Sequence, residues 1–348
     1  MASLPSASRR RFIRYGAIAG VAAQALLRSG SVRAALFEAR EADALSGPWP
    51  EMAYRTLGRT GYRASRLIFG CGATLSSQRR DELLDTALEA GINVFDVGYQ
   101  HYYDQAERNL APFLKRHRDD VFLISKAIVP GEFGPRDSVT PAQAKQAAAG
   151  WLRHLDESLA ELEVDHVDAY YLMASNNTGI VGSDEIHRAF ERARDAGKVS
   201  YLGLSTHQNA QAVLETAIAT GRFDLAMIAI TPGGWYDWET REVLPGSPPM
   251  QDLQPLLARA REAGIGLIGM KAGRFLAGRR WLGWGNPEAF DRYYDRRLLE
   301  APLSGFQRSY AYVLEHGLDA VNADMQALAH LKENFVAAAT STSYFDVA

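Results

Sequence analysis

The chain has 348 residues, a formal net charge of -3 at pH 7 and a single cysteine, Cys71. This length allows one large domain or two small ones. The charge offers no basic surplus for nucleic acid and no acidic tail for a charged partner. One cysteine excludes an internal disulfide, and it also excludes an iron–sulfur cluster or a cysteine zinc site held by this chain alone.

The N-terminus has the features of an export signal. Residues 8–14 are Ser-Arg-Arg-Arg-Phe-Ile-Arg, a weakly apolar run follows at 16–27, and 32–34 form a small-residue cleavage site. This order is typical of a signal peptide, and the paired arginines favour the twin-arginine route. The apolar run is about half of the ~20 residues that a membrane span needs, so we expect no permanent membrane anchor. The alternative is a flexible basic N-terminus without a targeting role.

These features predict three segments. Residues 1–34 are a twin-arginine signal peptide, residues 35–52 are a linker, and residues 53–348 form the folded domain. The twin-arginine export machinery is then a partner recognised through residues 8–14, and the mature protein is expected in the periplasm. Because this route carries folded proteins, we expect any cofactor to be bound before export.

Short apolar runs alternate with amphipathic stretches along the rest of the chain. The runs have the length of buried parallel strands, and they lie at Leu67–Gly70, Asn93–Val97, Val121–Ser125, His166–Leu172, Val199–Leu204, Leu225–Ile230, Ile265–Gly269 and Leu318–Asn322. Helices are predicted between them at 78–90, 184–196, 252–263 and 326–337, and a further helix is predicted to start at Thr140-Pro141 and to present Leu152, Leu155, Leu159 and Leu162 on one face. Eight strand-and-helix units favour an α/β fold, the (β/α)8 TIM barrel. A doubly wound sheet is the alternative, but residues 69–73 match its Gly-rich phosphate turn poorly.

The active site of a TIM barrel lies at the carboxyl ends of its strands. The sequence places polar and aromatic side chains there, namely Asp96, Tyr99 to Tyr103, Lys126, Met173 to Asn177, Ser205 to His207, Thr231 to Trp238 and Met270 to Arg274. Asp96 and Lys126 lie at the ends of neighbouring strands. Burying a charged side chain costs free energy, and such groups are often found where they have a function. We therefore favour a functional role for this pair over a purely structural ion pair.

Several segments resemble the aldo/keto reductase family. They are the opening hairpin at Tyr54–Gly61, the second-strand motif at Ala90–Asp96, the helix start at Ala106-Glu107, the fifth-strand motif at Gly197–Ser205 and the last helix at Leu331–Asn334. The resemblance covers about residues 54–334. It implies an NAD(P)-linked oxidoreductase with four catalytic groups. A Tyr donates a proton to the carbonyl, a Lys lowers the pKa of that Tyr, an Asp holds the Lys, and a His orients the carbonyl.

By this resemblance Asp96 and Lys126 occupy the Asp and Lys positions. Met173 stands where the family has its His, and methionine cannot donate a hydrogen bond. The proton donor lies within residues 99–103. If no gap is placed after Asp96, the family's donor position falls near His101. Tyr103 occupies that position only if the loop carries an insertion before Ala106-Glu107. We predict Tyr102 as the donor, with His101 in place of the missing His; the alternative is an aromatic loop that only packs on the barrel.

The predicted cofactor contacts, also implied by the resemblance, are Ser205, Thr206, Met270, Lys271, Met325 and Asn334. The cofactor is expected to be NAD or NADP. Asp324 lies in the last loop, where NADP-preferring members carry groups that pair with the 2′-phosphate, and a carboxylate there would repel it. NAD, or a weakly held cofactor, is therefore favoured, although Asp324 is also an ordinary turn residue. The eight histidines show no His-x-x-x-His pair and no His/Cys cluster, so no metal site is predicted.

The predicted function is an exported NAD(P)-linked oxidoreductase acting on a carbonyl or alcohol of a small or sugar-like substrate. Aromatic side chains of two long loops suit an apolar or sugar ring; they lie at 233–238 and at Trp281, Trp284, Tyr293 and Tyr294. Arg274, Arg279 and Arg280 suit an anionic group, and packing of the loops is the alternative for both sets. Two other functions remain open, a barrel with isomerase or lyase chemistry and a catalytically inactive periplasmic binding protein.

Overall fold

A computed structural model of the protein describes residues 48–277 and 285–345. The predicted signal peptide, most of the predicted linker, and Arg279, Arg280, Trp281 and Trp284 lie outside the described residues. The fold belongs to one compact unit, Trp49–Gln326 with His330–Ala348. Of the other unit, the described residues are Pro48 and Ala327–Ala329.

The strands alternate with helices along the described chain. The strands are β1 (Tyr54–Thr56), β2 (Arg63–Ser65), β3 (Leu67–Gly70), β4 (Val94–Asp96), β5 (Phe122–Ile128), β6 (Val167–Met173), β7 (Val199–Thr206), β8 (Leu225–Thr231), β9 (Gly234–Asp237), β10 (Glu242–Val243), β11 (Gly266–Met270) and β12 (Ala320–Asp324). All eight predicted strands are present, each within a few residues of its predicted bounds.

The helices fill the intervals between the strands. They are α1 (Gly72–Leu75), α2 (Asp81–Glu89), α3 (Gln100–Tyr103), α4 (Ala106–His117), α5 (Pro141–Leu162), α6 (Thr178–Val181), α7 (Asp184–Asp195), α8 (Ala210–Thr220), α9 (Gln254–Glu262), α10 (Arg274–Ala277), α11 (Arg296–Leu299), α12 (Gly305–Glu315) and α13 (Leu328–Thr340). Short 3-10 helices lie at Gly58–Thr60, Arg118–Asp120, Met250–Leu253, Asp291–Tyr293 and Ser341–Tyr344. The predicted start of α5 is correct, since Thr140 caps it in a capping box and Pro141 fills its first turn.

Eight parallel strands close into a barrel. They pair in the order β8, β11, β12, β3, β4, β5, β6, β7, and β7 returns to β8. The antiparallel strands β9 and β10 extend from β8 after its carboxyl end. The predicted (β/α)8 barrel is thereby confirmed, and the doubly wound alternative is wrong because an open sheet has no such closing pair.

The barrel interior is apolar, and a hairpin covers its amino end. Side chains from the barrel strands, among them Ile68, Ile124 and Ile268, form one buried cluster with Leu57 from the hairpin of β1 and β2. Arg59, in the turn of that hairpin, donates its backbone N–H to the carbonyl of Gly264 before β11. The amino end is thus filled and closed, which leaves the carboxyl end for a site.

A buried arginine joins the barrel to the C-terminal helices. The Arg66 side chain is 1 % exposed and lies at the start of β3. Its guanidinium pairs with Glu315 on α12 and donates to the Leu314 carbonyl at 2.7 Å and to the Ser341 hydroxyl at 3.0 Å. These partners satisfy a charge that would otherwise be costly to bury.

The ordered packing starts earlier than the predicted linker boundary. The ring of Trp49 lies 4.9 Å from that of Phe335, and Met52 is buried. Residues 49–52 therefore pack on the same unit as the barrel. In the part of the chain that the structure describes, no helix is both long and apolar enough to cross a membrane.

Candidate active site

A buried ion pair lies at the carboxyl ends of β4 and β5. Nζ of Lys126 donates to Oδ2 of Asp96 at 2.6 Å and to the Val97 carbonyl at 2.7 Å. The amide of Asn322 on β12 donates to the same Asp96 oxygen, also at 2.6 Å. Burial raises the pKa of Asp96, and the charge of Lys126 and the Asn322 amide oppose that rise. The pair predicted from the sequence is present, with Asn322 as a third member.

Tyr103 is the tyrosine beside this pair. Its ring centroid lies 5.4 Å from Nζ of Lys126. Two glycines make room for the ring, since a Cβ on Gly98 would lie 2.9 Å from it and a Cβ on Gly72 would also overlap it. The structure therefore brings Tyr103, and not the predicted donor Tyr102, to the pair of Lys126 and Asp96. Asp104, with a φ of 51°, follows it.

Burial holds Tyr103 in its protonated form. It raises the pKa of the Tyr103 hydroxyl well above the usual 10, and the charges of Asp96 and Asp324 add to the rise. Desolvation of the phenolate is the largest cause of this rise. A protonated tyrosine is the state from which a proton can be donated.

The structure does not bring Tyr102 or His101 to Lys126. Tyr102 is 42 % exposed, and its ring stands edge-on to that of Tyr103 at 4.8 Å. His101 is exposed and turns towards Glu157 on α5, with Nε2 3.3 Å from Oε2. In a short helix, successive side chains point in different directions, so only Tyr103 of the three faces the ion pair.

Met173 and the polar pair Ser205 and Thr206 line neighbouring strand ends. Met173 is buried at the end of β6. The Ser205 hydroxyl accepts from the Ala174 N–H at 3.1 Å, and among the described residues nothing accepts its own O–H. Thr206 donates to the Gln208 carbonyl at 2.6 Å. The Ser205 hydroxyl can thus donate a hydrogen bond to a ligand, whereas the Thr206 hydroxyl already donates within its own loop.

Lys271 and His207 meet at the face of Trp238. Nζ of Lys271 lies 4.3 Å from the Trp238 ring centroid, and the His207 ring lies 5.7 Å from it. Burial lowers the pKa of Lys271, which has no carboxylate within ion-pair distance among the described residues. Burial and the charges of Lys271 and Lys126 lower the pKa of His207 to about 3. His207 is therefore a neutral imidazole with one N–H donor at neutral pH.

The remaining predicted cofactor residues lie around this rim with different exposure. Met270 is buried at the end of β11, and Asn334 is half-buried on α13. Met325 is fully buried, and its carbonyl accepts from the Thr74 hydroxyl at 3.2 Å. Asp324 is exposed and accepts from the Ala73 N–H at 3.2 Å.

Glu107 is a buried carboxyl group behind the ion pair. It lies in the first turn of α4, and its Oε1 accepts from the Ser125 hydroxyl at 2.6 Å. Its Oε2 is buried and has no hydrogen-bond partner among the described residues. Burial raises the pKa of Glu107 to about 7. The group is therefore partly protonated near neutral pH.

A sequence model of the Aldo/keto reductase family matches residues 66–268, which is more than half of the chain. The chain belongs to the aldo/keto reductase family. It is 28% identical over 243 residues to the uncharacterized oxidoreductase YrpG of Bacillus subtilis (strain 168), covering 66% of this chain and 69% of that protein. An aldo-keto reductase from Bacillus halodurans in its holo form shares the fold with a TM-score of 0.57 at 22% identity, over 82% of this chain and 90% of that one.

A second curated relative has a different described role. The chain is 30% identical over 181 residues to a probable voltage-gated potassium channel subunit beta of Oryza sativa subsp. japonica, covering 50% of this chain and 52% of that protein. The chain thus spans about half the length of that relative. Family membership makes this protein an oxidoreductase of the aldo/keto reductase type.

Sequence reasoning gave three contributors to the site no specific role in it. Asn322 was predicted only as the end of a strand, whereas His207 and Trp238 were placed at the barrel mouth without a catalytic role. Each joins the site across the barrel mouth, where residues distant in the chain meet. The signal available in the sequence was position, because all three follow or end a strand at its carboxyl side.

Proposed function

We propose that the protein is an NAD(P)-linked reductase of a small or sugar-like carbonyl compound, with Tyr103 as the proton donor. The observation that carries this proposal is the Tyr103 ring beside the buried pair of Lys126 and Asp96. Tyr103 gives its proton to the carbonyl oxygen, and the Lys126 ammonium stabilises the phenolate that remains. Asp96 accepts a hydrogen bond from Lys126 and holds it in place.

The residues at the barrel mouth fit a nicotinamide dinucleotide. Lys271 is a half-buried ammonium with no carboxylate partner among the described residues, so its charge is available for a phosphate. Ser205 offers an unused O–H, and Met270 supplies an apolar wall beside Lys271. When bound, the cofactor supplies the hydride that completes reduction to the alcohol. The exposed carboxylate of Asp324 favours NAD over NADP, because it would repel a 2′-phosphate nearby.

In this proposal His207 replaces the histidine that the family has at the position of Met173. Met173 cannot orient a carbonyl, whereas His207 is neutral, has one N–H donor and lies at the next strand end. Among the described residues no hydrogen bond engages its ring, so that donor is free for the substrate oxygen. The ring of Trp238 beside it provides an apolar face for the rest of the substrate.

The first test is a cofactor measurement on the mature, untagged protein. Any small molecule released on denaturation is identified by mass spectrometry, and the stripped protein is titrated with NADH and NADPH. The proposal expects saturable binding, tighter for NADH, and weaker binding in Lys271→Met. No binding of either nucleotide would reject the reductase and leave isomerase or lyase chemistry, or ligand binding, as the function of the site.

We also propose that the protein is exported to the periplasm through residues 8–14. The support is the sequence pattern of the leader, in which Arg9 and Arg10 precede Phe12 at the spacing of a twin-arginine signal. The double variant Arg9→Lys/Arg10→Lys keeps the basic charge and removes the arginine pair. We expect fractionation to find the native chain in the periplasm and the variant in the cytoplasm. Equal distribution of the two would reject the export proposal.

A further inference from the structure

Three potential metal ligands converge outside the barrel mouth. His101 lies on α3, and His154 and Glu157 lie three residues apart on α5. Their ligand atoms all lie within 4.8 Å of one another. Within residues 48–277 and 285–345, no other group of three such side chains meets this condition.

The spacing of these atoms suits a tetrahedral metal ion. Oε2 of Glu157 lies 3.3 Å from Nε2 of His101 and 3.0 Å from Nδ1 of His154. Zinc bonds to nitrogen and oxygen are about 2.0–2.2 Å long, so ligand atoms of a tetrahedral zinc lie roughly 3.3 Å apart. The exposed His101 side chain can rotate to close the remaining distance between the two nitrogens.

A tyrosine ring orients both imidazoles. The ring of Tyr99, itself buried, stands edge-on to His101 at 5.4 Å and to His154 at 5.0 Å. Such packing limits the orientations of both rings before a metal binds, which lowers the entropy cost of binding. The nitrogens therefore meet Glu157 in a defined arrangement, although they come from two separate helices.

The ligand types select the class of ion. Two imidazoles and one carboxylate suit zinc and other divalent transition metals, whereas calcium and magnesium prefer ligand sets made of oxygen alone. His101 and Glu157 are exposed and His154 is half-buried, so water can reach the remaining coordination position. Three protein ligands with an open position are also what catalytic zinc sites have.

The cluster is attached to the loop that carries Tyr103. His101 and Tyr103 belong to the same short helix, and the backbone N–H of Tyr103 donates to the Tyr99 carbonyl at 3.1 Å. We propose that His101, His154 and Glu157 bind a divalent transition-metal ion of the zinc class, which fastens α3 to α5 and so positions Tyr103. The positioning role rests on the proposed function of Tyr103, whereas the metal site itself does not.

The binding test uses the mature, untagged protein after removal of metals with a chelator. Titration with zinc sulfate by calorimetry, and elemental analysis after dialysis, are expected to give one ion per chain. Cobalt(II) in place of zinc is expected to show the intense visible absorption of a tetrahedral site. Both His154→Gln and Glu157→Gln are expected to weaken binding about 10-fold or more.

A histidine elsewhere on the surface provides the matched control. The two ring nitrogens of His117 face Asp85 and Asp120 from opposite sides, at 3.6 Å and 3.3 Å, so these groups cannot converge on one ion. His117→Gln is therefore expected to keep the zinc titration unchanged. Absence of saturable binding, or native affinity in both His154→Gln and Glu157→Gln, would overturn the site.

The positioning role has its own readout. Hydrogen exchange of the peptide that contains residues 99–105 is expected to slow on addition of zinc in the native protein, and not in His154→Gln. Unchanged exchange with zinc bound would overturn the fastening of the loop. Zinc binding should survive in Tyr103→Phe. Normal zinc binding together with full turnover in Tyr103→Phe would therefore reject the proposed proton donor and leave the metal site standing.

Discussion

The ring of Tyr103 lies 5.4 Å from the ammonium nitrogen of Lys126, and the adjacent Tyr102 is 42 % exposed on the other side of the loop. Two neighbouring residues of the same type thus have different environments, since Tyr103 is half-buried beside the ion pair. Tyr103 can therefore pass a proton within reach of a cation that stabilises the resulting phenolate. This relationship decides which tyrosine we assign to catalysis.

Substitution of each tyrosine tests that assignment. Tyr103→Phe keeps the ring against Lys126 and removes only the hydroxyl, so we expect carbonyl reduction to fall by about 10²–10⁴-fold. Tyr102→Phe is the matched control and should stay within about twofold of the native rate. Steady-state kinetics with both variants provides the measurement. A large loss in Tyr102→Phe with a normal Tyr103→Phe would return the donor role to the residue predicted from the sequence.

His207 is tested by removing its donor while keeping its ring contact with Trp238. His207→Phe is expected to lower kcat/KM by about 10- to 100-fold, the worth of one hydrogen bond to a developing charge. His207→Asn retains an N–H donor and should recover part of the loss. Introducing Met173→His into His207→Phe would restore a donor at the position where the family has its histidine. If kcat/KM recovers neither in this double variant nor in His207→Asn, His207 does not orient the carbonyl.

The raised pKa of Glu107 predicts that the stability of the protein depends on pH. Its folded pKa of about 7 exceeds the ordinary 4.5, so the folded state holds a proton that the unfolded chain releases. The stabilisation of the folded state by this proton is fully present below about pH 4.5, declines as the pH rises and is lost above about pH 7. Glu107→Gln does not titrate. We therefore expect the stability of the variant relative to the native protein to rise by about 2–3 kcal/mol from pH 5 to pH 8.

Denaturant unfolding at pH 5, 6, 7 and 8 measures this difference. The exposed Glu262→Gln serves as the control and should show no comparable trend. A difference between Glu107→Gln and the native protein that stays constant with pH would mean that Glu107 is ionised throughout this range.

Arg66 is expected to matter for stability rather than for catalysis. Arg66→Met fills most of the volume but leaves Glu315 without its partner, which costs about 3–5 kcal/mol for a buried pair. The surface pair of the exposed Arg108 and the half-buried Glu161 provides the comparison, and Arg108→Met should unfold at nearly the native denaturant concentration. Equal unfolding midpoints for the two variants would show that the Arg66 network adds no stability.

Much of the fold was predictable because the signals are local. Alternating apolar runs and amphipathic segments identified every barrel strand, and Thr140-Pro141 marked the start of α5. The barrel then put Asp96 and Lys126 at one end, since neighbouring parallel strands share a direction. The family resemblance then implied that Asp96 holds Lys126, and the structure shows the hydrogen bond between them.

The metal-ligand cluster could not be predicted in the same way. His154 and Glu157 are close in sequence, but His101 is 56 residues from Glu157 and has no motif that connects it to them. The prediction of no metal site rested on local spacing alone. The packing of α3 on α5 brings the three together, and that packing depends on the whole barrel.

The sequence by itself determined the barrel and the placement of two charged residues at its mouth, because strand periodicity and strand ends are local properties. Only the tertiary structure decided that Tyr103 faces Lys126, that His207 and Lys271 share Trp238, and that His101 turns towards α5. Loop side chains take their directions from contacts with distant residues, such as Gly72 and Gly98 around Tyr103. The periodicity of apolar residues in the sequence carries no information about such contacts.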